Sequence, residues 1–215
     1  MTRKSRNTSD LKRRKPFRLP RLCVLIVCEG EKTEPDYFES LRRELGLSSV
    51  EVEIVGKECG SAPINVVDAA IDRKACTPQS TIHDEYDEVW CVMDVEAPEP
   101  HKTLADAIAK AKKNKVKVAL SNPCFEFWYI LHFEKTSQPM LKNGDVIKVL
   151  KKHYPKYRKN DPNIFDVIFT HTTDAIKHAK EVIREKHWVE DLRGCNPSTH
   201  VHRLVEQLMS FDERP

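Results

Sequence analysis

The stretch Leu22-Cys23-Val24-Leu25-Ile26-Val27-Cys28-Glu29-Gly30-Glu31-Lys32-Thr33-Glu34-Pro35-Asp36-Tyr37-Phe38 decides the fold. Leu22 to Val27 is apolar without alternation, the pattern of a strand covered on both faces, as in parallel sheets with helices above and below. The run stops at Cys28-Glu29-Gly30, and a helix start follows at once. Thr33 supplies a capping hydroxyl, Pro35 sits in the first turn, and Glu34 and Asp36 lie near the positive helix end. Tyr37, Phe38, Leu41 and Leu45 continue at helical spacing until Gly46 ends the helix.

The strand-then-helix unit recurs along the chain. Val50 to Val55 alternates like a strand, and Ile64, Val67, Ala70 and Ile71 then share one helical face. Glu88 to Met93 reads as a buried strand, Thr103 to Lys113 as an Ala/Lys-rich helix and Val116 to Leu120 as a fourth short strand. Three β-to-α transitions in a row predict an α/β fold with a mostly parallel four-stranded sheet, right-handed crossovers and flanking helices. Beyond Leu120 the pattern turns helical, over Phe125 to Phe133, Asn143 to Tyr154 and Thr173 to Trp188. Asn196-Pro197-Ser198-Thr199 opens a last helix through Val201, Leu204, Val205 and Leu208. The expected organisation is a basic, flexible arm over 1–21, an α/β core over 22–134, and a helical extension over 135–215 packed on the core.

Hydrophobic residues make up 40% of the 215 and charged residues 32%, which excludes a disordered or membrane-embedded chain. No apolar run approaches the roughly 20 residues of a membrane-spanning helix, and the basic start has no apolar signal region. A soluble cytoplasmic protein with no membrane partner is expected. Residues 1–21 hold nine Lys/Arg against Asp10 alone; with an overall charge of +3, the rest of the chain is net acidic. Arg13, Arg14 and Lys15 in this arm are candidate nucleic-acid contacts, with a merely solvated tail as the competing reading. The seven cysteines include no Cys-x-x-Cys pair; Cys23, Cys28 and Cys91 lie in apolar runs, so they read as packing residues rather than zinc ligands.

In open α/β sheets, sites form beyond the carboxyl ends of the strands, where loops converge. Glu29 follows the first strand. Asp94 and Glu96 follow the third, at i and i+2, which an extended chain points to one side. Like charges gathered this way raise one another's pKa unless a cation joins them. Mg²⁺ (or Mn²⁺) suits a sparse carboxylate set because it keeps waters and takes further ligands from phosphate oxygens. The competing reading is that Glu29 enters a turn, Asp94 caps a loop and Glu96 is solvated. Lys32 is placed to meet a phosphate. Glu126 follows the fourth strand: with Asn122 as cap and Pro123 at the first helical position, it lies in a first turn beside Phe125, Trp128 and Tyr129. An acid among aromatics needs a partner, either at the site or by reaching back to the Asn122 backbone. His200, His202, His171 and His178 read as surface or capping histidines, and Trp90 and Trp128 as core. The chain has no glycine-rich phosphate loop, no His-Glu-x-x-His and no Gly-x-Ser-x-Gly, so the NTPase, zincin and hydrolase classes lack their central residues.

Four ordered blocks add a resemblance: Cys28 to Phe38, already quoted; Trp90-Cys91-Val92-Met93-Asp94-Val95-Glu96; Ser121-Asn122-Pro123-Cys124-Phe125-Glu126-Phe127-Trp128 through Leu131-His132-Phe133; and Asn196-Pro197-Ser198-Thr199. In these the chain resembles the RloB family from about Leu22 to Leu208. That family looks like a branch of the Toprim superfamily, alongside topoisomerases, primases and overcoming-lysogenization-defect nucleases. The resemblance implies a Toprim- or Rossmann-like fold and a glutamate after the first strand as metal ligand or general acid/base, matched by Glu29. It implies an Asp-x-Asp pair after the third strand, matched by Asp94 and, with a departure, by Glu96. A glutamate's extra methylene moves its carboxylate by about 1.5 Å. The implied activity is Mg²⁺-dependent cleavage of DNA or RNA as the effector of a bacterial anti-phage, abortive-infection system, with an ABC-type ATPase as partner. The alternative is an inactive nucleic-acid-binding or scaffold subunit of such a complex; a homo-oligomer is compatible with either. The expected catalytic residues are Glu29, Asp94 and Glu126, and the expected metal ligands Glu29, Asp94 and Glu96.

Overall fold

The structure, a computed structural model, describes residues 23–47, 50–54, 62–75, 86–96, 99–185 and 194–211. The basic arm with Arg13, Arg14 and Lys15 lies outside the described residues, as do Val55 and Trp188. The first strand, β1 (Val24–Cys28), is buried along its whole length and feeds α1 (Thr33–Glu44). β2 (Val50–Ile54), α2 (Pro63–Ala75), β3 (Glu88–Asp94), α3 (Leu104–Lys113) and β4 (Lys117–Asn122) complete the alternating unit. With a late two-residue strand, β5 (Ser198–Thr199), the strand order is β2-β1-β3-β4-β5, and β1 pairs in parallel with β2 on one side and β3 on the other. The four parallel strands flanked by helices match the expected Toprim- or Rossmann-like arrangement.

The order reverses direction at β1, since the chain first moves outward to β2 and then crosses back to β3. With right-handed crossovers, those two connections must pass on opposite faces of the sheet. The core divides accordingly. Val24, Ile26, Cys28, Trp90 and Val92 pack with Tyr37, Phe38 and Leu41 of α1, whereas Leu25, Val27, Val89, Cys91 and Met93 pack with Val66, Val67 and Ala70 of α2 and Ala107 and Ala111 of α3. Alternate residues of one strand thus serve different layers.

The remaining elements are α4 (Glu126–Ile130), α5 (Asn143–His153), α6 (Ile164–Ile168) with a 3₁₀ turn to His171, α7 (Thr172–Glu185), β5 (Ser198–Thr199) and α8 (Val201–Met209). Val146, Leu150, Tyr157, Ile164, Val182 and Leu204 from this region join the α1 layer in one apolar cluster.

Four local expectations change. Ser198-Thr199 does not begin a helix; it forms a two-residue antiparallel strand on β4, with Ser121 opposite Thr199, and Ser121 Oγ and Thr199 Oγ1 share a buried hydrogen bond of 3.0 Å. The strand β4 runs on to Asn122 and α4 begins only at Glu126, so Asn122 is no helix cap; its Oδ1 accepts from Asn196 Nδ2 at 3.1 Å. Thr33 does not cap α1 either, because its Oγ1 donates to Asn160 Oδ1 at 3.0 Å. His200 and His202 are buried rather than on the surface, and His202 Nδ1 is bonded to the Thr199 carbonyl at 2.9 Å. Gly46 does end α1, at φ +66°, a backbone setting that a glycine adopts without steric cost.

Candidate active site

The site lies at the point where the strand order reverses, the crevice between the carboxyl ends of β1 and β3. The pairing continues one residue past β1, as the Glu29 N–H donates to the Val92 carbonyl at 3.0 Å. This directs Glu29 toward the neighbouring strand, where its Oε2 accepts the Asp94 N–H at 3.0 Å. Two strand ends are thereby joined by one carboxylate.

Glu29, Lys32, Glu34, Asp94, Glu96 and Glu126 line a single cavity of about 520 Å³. Glu29, Asp94, Glu96, Glu126 and Lys32 were all expected near this edge, and the fold brings them together. The cavity also takes Asn143, Lys159 and Asn160 from the C-terminal region. Beside the exposed Glu31, which also lines the cavity, Glu34 is the buried carboxylate that sequence reasoning missed as a site residue. It was read only as a complement to the helix dipole, yet a residue in the first turn after a strand end faces the carboxyl edge, the same signal that singled out Glu126. Gly30 makes its placement feasible, because a Cβ there would collide with the Glu34 carboxylate. Lys159 lies 130 positions from Glu29 and has no local signal at all.

Burial and mutual repulsion dominate the electrostatics. Burial raises the Glu29 carboxyl from 4.5 to about 7, against the lowering effect of the Asp94 N–H, with Glu96 and Glu34 raising it further. Glu34 also rises to about 7, first by burial, with Glu126 adding to it and Lys159 opposing. Asp94 is pushed well above the usual carboxylate range by burial and then by Glu34, Glu126, Glu29 and Glu96. Such a group of acids favours either protons or a cation.

Glu126 is 7% exposed and, as expected of an acid among aromatics, has a partner: the buried Tyr157 donates its hydroxyl to Oε1 at 3.3 Å. Tyr129 donates to the Thr33 carbonyl at 3.2 Å, tying α4 to the start of α1. Glu96 departs from expectation. Its backbone is not extended but left-handed, at φ +59°, and its side chain is exposed. The turn arises because the Val95 N–H bonds to the Ser121 carbonyl and the Glu96 N–H to the Pro123 carbonyl, drawing the chain toward β4. A non-glycine residue in this setting is costly and is found disproportionately at functional sites.

The donor set is all hard oxygen, which fits Mg²⁺ or Mn²⁺ rather than zinc. Among the described residues, no group of three or more His, Cys, Asp or Glu side chains is placed so as to hold a metal ion as it stands. The described cysteines are reduced, and Cys23, Cys28, Cys91 and Cys124 are buried. No helix among the described residues is long and apolar enough to cross a membrane.

The model of the family described as RloB-like protein matches residues 24–208, nearly the whole chain and every element of the site. The chain belongs to the RloB-like family. No curated protein and no solved structure matches it. All four sequence blocks of this RloB-like chain converge on one region. The first and second supply Glu29, Glu34, Asp94 and Glu96; the third supplies Glu126; Asn196 of the fourth bonds to Asn122 just before the α4 turn.

Proposed function

We propose that this chain is a Mg²⁺- or Mn²⁺-dependent endonuclease that cleaves phosphodiester bonds of DNA or RNA, working in the cytoplasm as the effector of a bacterial anti-phage system with an ABC-type ATPase partner. The observation that carries the reading is the gathering of Glu29, Glu34, Asp94, Glu96 and Glu126 around one cavity at the strand-order reversal. A protein folds this much like charge into one place at a cost, and a divalent cation with a phosphate offsets it.

Glu29, Asp94 and Glu96 would hold the cation. When bound, it supplies Lewis acidity to a phosphate oxygen and to the attacking water. The chain's own residues do the rest. Glu29 either ligates the cation as a carboxylate or, left off it, relays a proton, since burial raises its carboxyl to about 7. Glu126, held by Tyr157, presents a second carboxylate to the same cavity and can accept the proton of the attacking water. Lys32 at the mouth offsets charge on the phosphate.

A second reading, an inactive nucleic-acid-binding or scaffold subunit, is favoured by Glu96, which stands where the Toprim pattern has aspartate and is exposed on a left-handed turn. Incubation of plasmid and of RNA with Mg²⁺ or Mn²⁺, beside an Asp94→Asn control, separates the two. Cleavage by the wild type and not by the variant is expected; intact substrates throughout, even with the ATPase partner present, would leave the second reading.

A further inference from the structure

An anionic cavity repels the polyanion it is proposed to cut, and the two lysines that line it, Lys32 and Lys159, are a small counterweight. The twelve residues Lys148 to Lys159 carry six Lys/Arg and no Asp or Glu. Lys148, Lys151, Lys152, Lys156, Arg158 and Lys159 are all exposed. Elsewhere on the surface, lysines sit on carboxylates: Lys110 on Asp68, Lys117 on Glu88 at 2.7 Å, Lys135 on Glu185 at 2.5 Å and Lys180 on Glu206 at 2.5 Å. Among the six Lys/Arg of the segment, and among the described residues, only Lys148 has a carboxylate within 4.0 Å, Asp145; His153 lies 3.4 Å from Glu134, and Lys159 acts on Glu34 from farther off. A concentration of like charge without counter-charge is self-repelling and complements a polyanion.

The anchoring of the segment places it. Tyr157 points inward and bonds Glu126, while Asn160 accepts from Thr33 at 3.0 Å. The C-terminal part of the segment is therefore fastened at two points to residues of the carboxylate site, and Lys159 and Asn160 line the cavity itself. Consecutive Cα atoms are about 3.8 Å apart, so Lys156 and Arg158, on either side of Tyr157, project outward one residue from a group bonded to Glu126.

We infer that the segment from the end of α5 to Asn160 is a strap that grips the phosphodiester backbone of a nucleic-acid strand lying over the carboxylate cavity. The inference rests on the nuclease reading for its choice of polyanion, but it concerns binding and not hydrolysis. The strap offers cations to phosphates, as sequence-independent contacts do, and sets where along the strand the carboxylates act.

The test measures binding in EDTA, so that cleavage plays no part. The full chain is titrated against fluorescein-labelled 20-mer single strands of DNA and of RNA over a range of salt. The variant Lys151→Gln/Lys152→Gln/Lys156→Gln/Arg158→Gln leaves Lys159 and the cavity untouched. It should weaken binding at least about tenfold at low salt and flatten the log–log salt slope by about 3, since each phosphate contact on a single strand contributes about 0.7. A control, Lys110→Gln/Lys117→Gln/Lys135→Gln/Lys180→Gln, removes the same charge from paired lysines and should change affinity less than about twofold. The Lys→Arg versions of the three strap lysines should retain affinity, which separates lost charge from a disturbed fold.

Equal losses in the two glutamine variants would overturn the inference, as would a wild type that binds neither oligonucleotide. Competition by polyglutamate as effective, charge for charge, as by the oligonucleotide would also overturn it and point to an acidic protein. The tighter of the two strands identifies the source of the backbone. If the wild type never cleaves yet the strap variant loses binding, the nuclease reading falls and the strap stands; if the wild type cleaves and the strap variant binds normally, the strap falls alone.

Discussion

The two faces of the sheet are packed with different materials. α2 and α3 cover one face with small aliphatic residues, among them Val66, Ala70, Ala107 and Ala111. α1, α4 and the C-terminal elements cover the other with Tyr37, Phe38, Phe125, Trp128, Tyr129, Tyr157 and Phe165, set edge to face at 5.3–6.4 Å between ring centroids. Glu34, Glu126 and Lys159, site residues that do not sit at a strand end, come from α1, α4 and the segment between α5 and α6, all on the aromatic face. Bulky rings hold short helices and loops at a fixed distance from the sheet and leave polar handles, such as the Tyr157 and Tyr129 hydroxyls, to orient what lies at the rim. Small residues instead let α2 and α3 pack closely and leave no such handles. Among the described residues, α2 and α3 therefore contribute no lining residue to the candidate site, whereas the aromatic face positions Glu34, Glu126 and Lys159 there.

The sharpest way to break that contrast is at the strand end both faces share. Asp94→Asn should lower cleavage by more than about 100-fold, beyond the loss typical when only a ligand's supporting partner is removed. Glu126→Gln, on the aromatic face, should also abolish cleavage while barely moving the melting temperature, because glutamine keeps the shape and the Tyr157 contact. Normal cleavage by this variant would make Glu126 structural. Tyr157→Phe should reduce cleavage by about tenfold and cost about 1 kcal/mol, the usual range for one lost hydrogen bond; an unchanged rate with the same loss of stability would confine Tyr157 to packing.

The acids also give the apo protein a pH signature. Glu29 and Glu34 titrate at about 7 in the folded chain against 4.5 when free, so between those values the folded state holds protons that the unfolded chain has lost. Their contribution is fully present below about pH 4.5 and is lost as the pH rises through 7. Glu34→Gln should accordingly melt higher than the wild type at pH 8 and close to it at pH 5, with Mn²⁺ narrowing the difference at pH 8. A gap of equal size at both pH values would contradict the assigned burial. The smallest effect belongs to the aliphatic face. Cys91→Ala should cost about 1 kcal/mol in denaturant unfolding and leave Mn²⁺ affinity unchanged; lost affinity would show that this face reaches the site.

The alternation of short buried strands with amphipathic helices was legible from Leu22 onward, since strand burial and helical periodicity are local properties written into spacing. Glu29, Asp94, Glu96, Glu126 and Lys32 were legible for a related reason: parallel strands place their carboxyl ends on one edge, so position after a strand is enough to find them. Local spacing fails where a residue's role is set by a distant partner. Thr33 looks like a cap until Asn160 takes its hydroxyl. Ser198-Thr199 looks like a helix start until β4 offers an edge to pair with. Glu96 looks extended until the Ser121 and Pro123 carbonyls turn its backbone left-handed. The sequence by itself therefore determined the layers and the edge on which the acids gather. Only the tertiary structure decided that Tyr157, Lys159 and Asn160 reach that edge, because contacts between residues far apart in the chain, 31 positions for Tyr157 and Glu126 and 127 for Asn160 and Thr33, depend on how the layers pack and leave no period in the sequence.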